Sequence, residues 1–199
     1  MDSNLYQAPS TDSTTPEATQ DEAALYVVSL KKLALLFILT LGLYAVYWNY
    51  RHWKLLNQHR GTNTIPVMRG IFSIFFFHSL LKQINQELGD EGSKNHLPVS
   101  QLAAAYIAMN LLSSLADRFS ARSDTISILD FISLLLLPFI CGVVATAQQA
   151  ANISQGDPKG ERNSDMTALN WVWMLLGSCL WLLILFGFAV MIAPDSIPF

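Results

Sequence analysis

Residues 33–50 read LALLFILTLGLYAVYWNY, eighteen uncharged residues that run into an aromatic and basic cluster, YWNYRHWK, at 47–54. As a single helix the stretch would rise about 27 Å, near the hydrocarbon thickness of a bilayer. Tyr and Trp rings favour the headgroup level, and Arg51 and Lys54 would fix the helix end in water. The helix is expected to start at Ser29 as its N-cap and to run past Tyr50 to about Gln58, where Gly61, Asn63 and Pro66 interrupt it. The stretch therefore predicts a membrane span.

Composition agrees. The chain of 199 residues is 52% hydrophobic and 14% charged, against about 25% charged in an ordinary soluble domain. The net charge is -3, with acids at Asp2, Asp12, Glu17, Asp21 and Glu22 near the start. That balance carries no basic footprint for DNA or RNA, so nucleic acid is excluded as an expected partner. Cys141 and Cys179 lie in apolar runs without a C-x-x-C spacing and read as small buried hydrophobes. No basic region followed by a cleavable apolar stretch opens the chain, so the first span is expected to stay as an anchor.

Two domains follow from the pass along the chain. Residues 1–24, rich in Ser, Thr, Asp, Glu and Pro, cannot bury enough apolar surface to offset ordering and are expected to form a disordered acidic tail. Residues 25–199 are expected to form an all-α helical membrane domain with about four spans, at 31–50, 97–116, 125–147 and 169–193. A short apolar to amphipathic helix at 67–88 adds to these. Its uncharged core, IFSIFFFHSLL at 71–81, is short for an upright crossing. Phe77, Leu80, Leu81, Ile84 and Leu88 share one face, which favours an interfacial or re-entrant helix, with a tilted span over 67–83 as the alternative. Ala104 with Ala108, and Gly142 with Thr146 and Ala150, form small-residue stripes that would let helices approach or the chain self-associate. Pro138 is expected to kink its span, and Trp171 with Trp173 to mark an interface.

With four spans, eight Lys and Arg residues fall on the side of the 51–96 and 151–168 connectors and four on the other. The positive-inside rule would then send both termini outward. If 67–83 also spans, six face six and orientation is open.

Three segments resemble a family of small bacterial inner-membrane proteins known only as a domain of unknown function. The first is the helix end Gly42, Leu43, Tyr44, Tyr47, Trp48, Tyr50. The second is IPVMRGIFSIFFFHSLL at 65–81. The third, QGDPKGERNSDMTALNWVW at 155–173, joins a G-D-P-x-G turn to a Trp-rich last helix. SNLYQAPS, at 3–10, is similar to leaders on many bacterial inner-membrane proteins. The resemblance implies a multi-pass protein of the bacterial inner membrane and brings no activity with it. Such leaders are usually cytoplasmic, which conflicts with the charge count.

The candidate chemistry is sparse. Asp130, early in its span, reads either as a proton or cation site or as an interfacial carboxylate paired with Arg118 or Arg122. Asn110 reads as an interhelical hydrogen-bond partner. His52, His59, His78 and His96 do not pair across facing helices, so neither haem nor metal is expected. Gly156-Asp157-Pro158-Lys159-Gly160 lacks P-loop spacing and reads as a turn between helices. No catalytic motif appears, and no catalytic, cofactor-binding or metal residues are assigned. The expected role is non-enzymatic: a structural subunit binding lipid or another membrane protein, with a small transporter or channel component using Asp130 as the alternative.

Overall fold

The computed structural model describes residues 23–89, 94–122 and 129–192, with only the backbone described at Asp130, Met191 and Ile192. Most of the expected tail, residues 1–22, lies outside the described part. The described residues are helical: α1 Leu30–Leu39, α2 Tyr44–Arg60, α3 Pro66–Ile71, α4 Ser73–Leu88, α5 Val99–Ser120, α6 Leu129–Ser154 and α7 Ala168–Ile192, with a short 3-10 turn at Glu161–Asn163.

Three helices are long and apolar enough to cross a bilayer: α5, α6 from Phe131 and α7 to Val190. They correspond to the expected spans at 97–116, 125–147 and 169–193, and α6 passes through Pro138 as one helix. The described chain thus fits a multi-pass membrane protein.

The run at 33–50 is not a fourth such helix. Ser29 does cap α1, its hydroxyl accepting the Lys32 amide at 3.4 Å. But α1 ends at Leu39, and the chain turns through Leu41 at φ 53° and Gly42 at φ 86°. The turn closes with two reversed bonds, Gly42 N–H to Phe37 O at 2.8 Å and Leu41 N–H to Ile38 O at 3.1 Å. These satisfy carbonyls that the ended helix would otherwise leave open. Thr40, buried in the turn, joins the two helices. Its hydroxyl donates to Leu36 O at 2.6 Å and accepts the Tyr44 amide at 3.0 Å. A break of this kind needs partners for its backbone groups, and these bonds supply several of them.

Past the turn the chain folds back. A helix continuous from residue 30 to residue 52 would separate its ends by roughly 33 Å. Instead the Tyr26 ring, just ahead of α1, lies 6.0 Å from His52 and 6.1 Å from Tyr47. Helices α1 and α2 therefore form a V that opens toward residue 26.

The expected helix at 67–88 is likewise two helices, parted at Phe72. Gly61, at φ 61°, ends α2, and the Asn57 side chain gathers the loop by donating to Thr64 O at 2.7 Å. Helix α3 runs back along α2, so that a methyl group at Gly70 would lie 2.8 Å from Val46 O. Helix α4 then returns to the far end of α2, where Arg60 meets Glu87 at 2.5 Å. Phe77 of α4 stacks on Tyr106 of α5 at 4.0 Å and lies 6.4 Å from Trp48. The buried face expected of α4 is the one observed: Phe77, Leu80, Leu81 and Ile84 are fully enclosed.

Helix α7 leans on α1 alone among its larger contacts. A methyl at Gly177 would lie 2.0 Å from Leu39 O, and Trp181 Nε1 donates to Ile38 O at 3.0 Å. Little of its apolar length is buried by the rest of the protein, which leaves a long exposed apolar surface. The close helix approaches thus fall at Gly70 and Gly177. Of the expected small-residue stripes, Ala104, Ala108, Gly142 and Thr146 are exposed and Ala150 is buried; of the two cysteines, Cys141 is buried as expected and Cys179 is exposed.

Candidate functional site

Residues 23–28 are irregular and buried, threaded between the mouth of the V and the end of α6. Such a strap has no helix or sheet to satisfy its peptide groups, so side-chain amides do it. Asn152 pairs with Val28 in both directions, donating to its carbonyl at 2.9 Å and accepting its amide at 3.3 Å. Gln148 donates to Tyr26 O at 2.9 Å, and Asn163 to Val27 O at 2.9 Å. Gln155 accepts the Ala24 amide at 2.9 Å. Each amide carries both a donor and an acceptor, as a peptide does, which is why Asn and Gln recur at these positions.

The G-D-P-x-G turn seats this strap. The Asp157 carboxylate accepts the amides of Glu161 and Arg162, both at 3.0 Å, and lies 3.5 Å from Arg162 Nε. Burial pushes that carboxyl upward, but the two amides and the Arg162 charge outweigh it and hold the group below its usual value. Gly160 has φ 67°, and a methyl there would lie 2.5 Å from the carbonyl carbon and oxygen of Val28. Here glycine is required both by conformation and by contact. Asn163 then reaches Tyr26 OH at 2.8 Å and accepts Lys32 Nζ at 2.7 Å, while Lys32 also donates to Asp165 O at 2.6 Å.

Gln148 ties the collar to the same frame. Its oxygen accepts Trp48 Nε1 at 2.5 Å and sits 3.3 Å from His52 Nε2, and its amide nitrogen donates to Asn152 Oδ1 at 2.7 Å. His52 and Trp48 are completely buried, so the collar expected to lie open at an interface is half interior. Its outward members are Tyr47, Tyr50, Arg51 and Lys54.

Between the arms of the V lies a cavity of about 550 Å³. Lys32 and Leu36 line it from α1, Thr40 from the turn, Tyr44, Tyr47 and Arg51 from α2, and Leu169, Asn170 and Trp173 from α7. Arg162 and Lys32 join Arg51 at the polar end, and no Asp or Glu is among the described lining residues. Arg51 Nε is buried without a hydrogen-bond partner, the guanidinium lying 5.4 Å over the Tyr26 ring.

A second cavity, of about 590 Å³, lies beside the helix break. Tyr106, Asn110, Ser113 and Asp117 line it along one face of α5, with Ser73 and Ser133 opposite. Ser73 Oγ lies 3.2 Å from Tyr106 OH, and Ser133 Oγ donates to Ser113 O at 3.3 Å and to the Asp117 carboxylate. Asn110 bonds Tyr106 O in its own helix at 2.8 Å, in place of the expected interhelical partner. Asp130 sits on the first turn of α6, and its side chain lies outside the described residues. His78 lines neither cavity and His96 lies against Gly89 O at 3.2 Å. Among the described residues no group of His, Cys, Asp or Glu has the makings of a metal site.

No family model matches the chain, and no curated protein or solved structure matches it either. The resemblance of its three segments stands on those residues alone.

Proposed function

We propose that this is an integral membrane protein with a non-enzymatic role, whose aromatic and basic collar binds lipid and a membrane partner. Helices α5, α6 and α7 cross the bilayer in this reading, while the α1–α2 and α3–α4 hairpins enter and leave on one side. That topology places both re-entrant mouths, the strap and the 155–167 connector together. Of the chain's 12 Lys and Arg residues, Arg118 and Arg122 alone lie on the opposite side. A bias of ten to two supports a cytoplasmic N-terminus, and it removes the conflict between the leader-like tail and the positive-inside rule. A bacterial inner membrane is the compartment the family resemblance suggests.

The observation that carries the binding role is the V-shaped cavity, cationic at one end, apolar at the other and lined by no described carboxylate. Concave sites of this size with a few convergent polar groups are where proteins hold ligands. In-membrane cross-linking from cysteines placed at Tyr47 and Lys54, read by mass spectrometry, should recover one recurrent partner or lipid. A reporter fused at residue 20 should be active only in the cytoplasm. Random cross-links and a periplasmic reporter would overturn the reading.

The second cavity favours one alternative, a small carrier or channel component. In that case Asp117→Asn and Asp130→Asn should abolish a flux while the protein stays folded.

A further inference from the structure

We infer that the V between α1 and α2 is a binding site for one anionic phospholipid, its phosphate held by Arg51 and Lys32 and an acyl chain laid along Leu36, Leu43 and Val46. The inference rests on the membrane reading above and names the ligand class of the same collar.

Charge is the first argument. Three cations converge on the polar end of the cavity, and none of the described lining residues is acidic. Arg162 is engaged by Asp157 and by Gln155 O, to which it donates at 2.6 Å, and so contributes field more than contact. Lys32 spends two donors on Asn163 and Asp165 O, leaving one. Arg51 has no hydrogen-bonded partner among the described residues, and its Nε is shielded from solvent. A partly buried guanidinium without an acceptor is costly, and its planar fork suits the oxygens of a phosphate. Tyr26 and Tyr44, with hydroxyls 3.5 Å apart, and Asn170 add neutral hydrogen-bonding groups around the same point.

The shape of the cavity supplies the second argument. Its floor is apolar, and Tyr47, Leu169 and Trp173 are exposed at its rim. That rim continues onto α7, a surface meant for lipid. A ligand lying there needs a charged head and a hydrocarbon tail, which a free phosphate ion lacks. The Thr40–Leu43 turn closes the bottom of the V, so the tail must leave sideways toward α7.

The test uses the full chain in neutral detergent, with native mass spectrometry after addition of phosphatidylglycerol or phosphatidylcholine. One phosphatidylglycerol should be retained at least tenfold more tightly than phosphatidylcholine. Arg51→Gln should remove that preference, and Lys159→Gln, an exposed cation outside the cavity, should preserve it. Val46→Trp, which fills the floor without touching a cation, should weaken retention of both lipids. Inorganic phosphate at millimolar excess should not displace the lipid; displacement would mark a free-anion site and overturn the proposal. Equal retention of the two lipids would overturn it as well. So would an unaltered preference in Arg51→Gln, or unaltered retention in Val46→Trp, with melting as in the parent. These failures would leave the membrane reading and its cross-linking test intact, whereas a chain that does not insert into bilayers would remove that reading itself.

Discussion

Replacing Gly160 by alanine isolates the contact that seats the strap. Two costs arise. At φ 67° an L-residue sits in the left-handed region, at about 1–2 kcal/mol. The added methyl would also meet the Val28 carbonyl carbon and oxygen at 2.5 Å. Both are backbone atoms, so no flexible side chain can move aside. Reaching ordinary contact requires withdrawal of the strap by about 0.9 Å. Val28 is held by Asn152 at 2.9 and 3.3 Å and Ser29 N–H by Asn163 O at 3.4 Å, so a shift of that size loosens these bonds. At about 0.5–1.5 kcal/mol each, losing two adds roughly 1–3 kcal/mol. The whole effect is about 2–5 kcal/mol. Gly156→Ala is the matched control, because Gly156 has φ 70° in the same turn and a methyl there meets nothing within 4 Å. It should cost only the conformational part. Thermal melting in detergent compares the two, and amide exchange at Val28 reports the strap directly, protected in Gly156→Ala and opened in Gly160→Ala. Equal melting losses with Val28 still protected would refute the contact argument.

Three further outcomes are expected. Thr40→Val keeps the shape of the side chain but removes both hydroxyl bonds, leaving the Tyr44 amide unpaired at the helix break; a loss of about 1–3 kcal/mol in melting, recovered by Thr40→Ser, checks this. Gly177→Ala should push α7 off Leu39 O and part Trp181 from Ile38 O, seen as a shift in Trp emission, whereas Gly187→Ala, with open space around it, should leave emission unchanged. Asp157 has a lowered folded value, so its contribution is complete above the ordinary carboxylate range and is lost as pH falls through the folded value. Melting should therefore decline from about pH 4 downward, and Asp157→Asn should flatten that decline.

How much of the site could be read in advance differs from residue to residue. Asp157 and Gly160 were visible as a turn, because Gly, Asp and Pro act on their own local backbone. What the turn holds was not, since residue 28 lies more than a hundred positions away in the chain. Gln148, Asn152 and Asn163 carried a faint signal as amides near the ends of apolar or turn segments. No rule of spacing joins them to a segment without periodicity of its own. The V left a clue in Thr40 and Gly42, yet an apolar run of spanning length outweighs two such residues when only hydropathy is counted. His52 and His59 look alike in sequence, yet His52 is buried against Gln148 while His59 is exposed.

The sequence by itself determined the class. Hydropathy and helix period depend on neighbours within a few residues, so the three long apolar helices, the Ser29 cap, the amphipathic face of α4 and the G-D-P-x-G turn were all legible. Tertiary structure alone decided that the run at 33–50 folds into a V, that the strap lies inside, and that Lys32, Arg51 and Arg162 meet around one cavity. Those outcomes turn on where distant backbones come close enough for glycine to be needed and for a buried peptide to need an amide partner. Physical proximity of that kind is a property of the packed chain, and local pattern does not encode it.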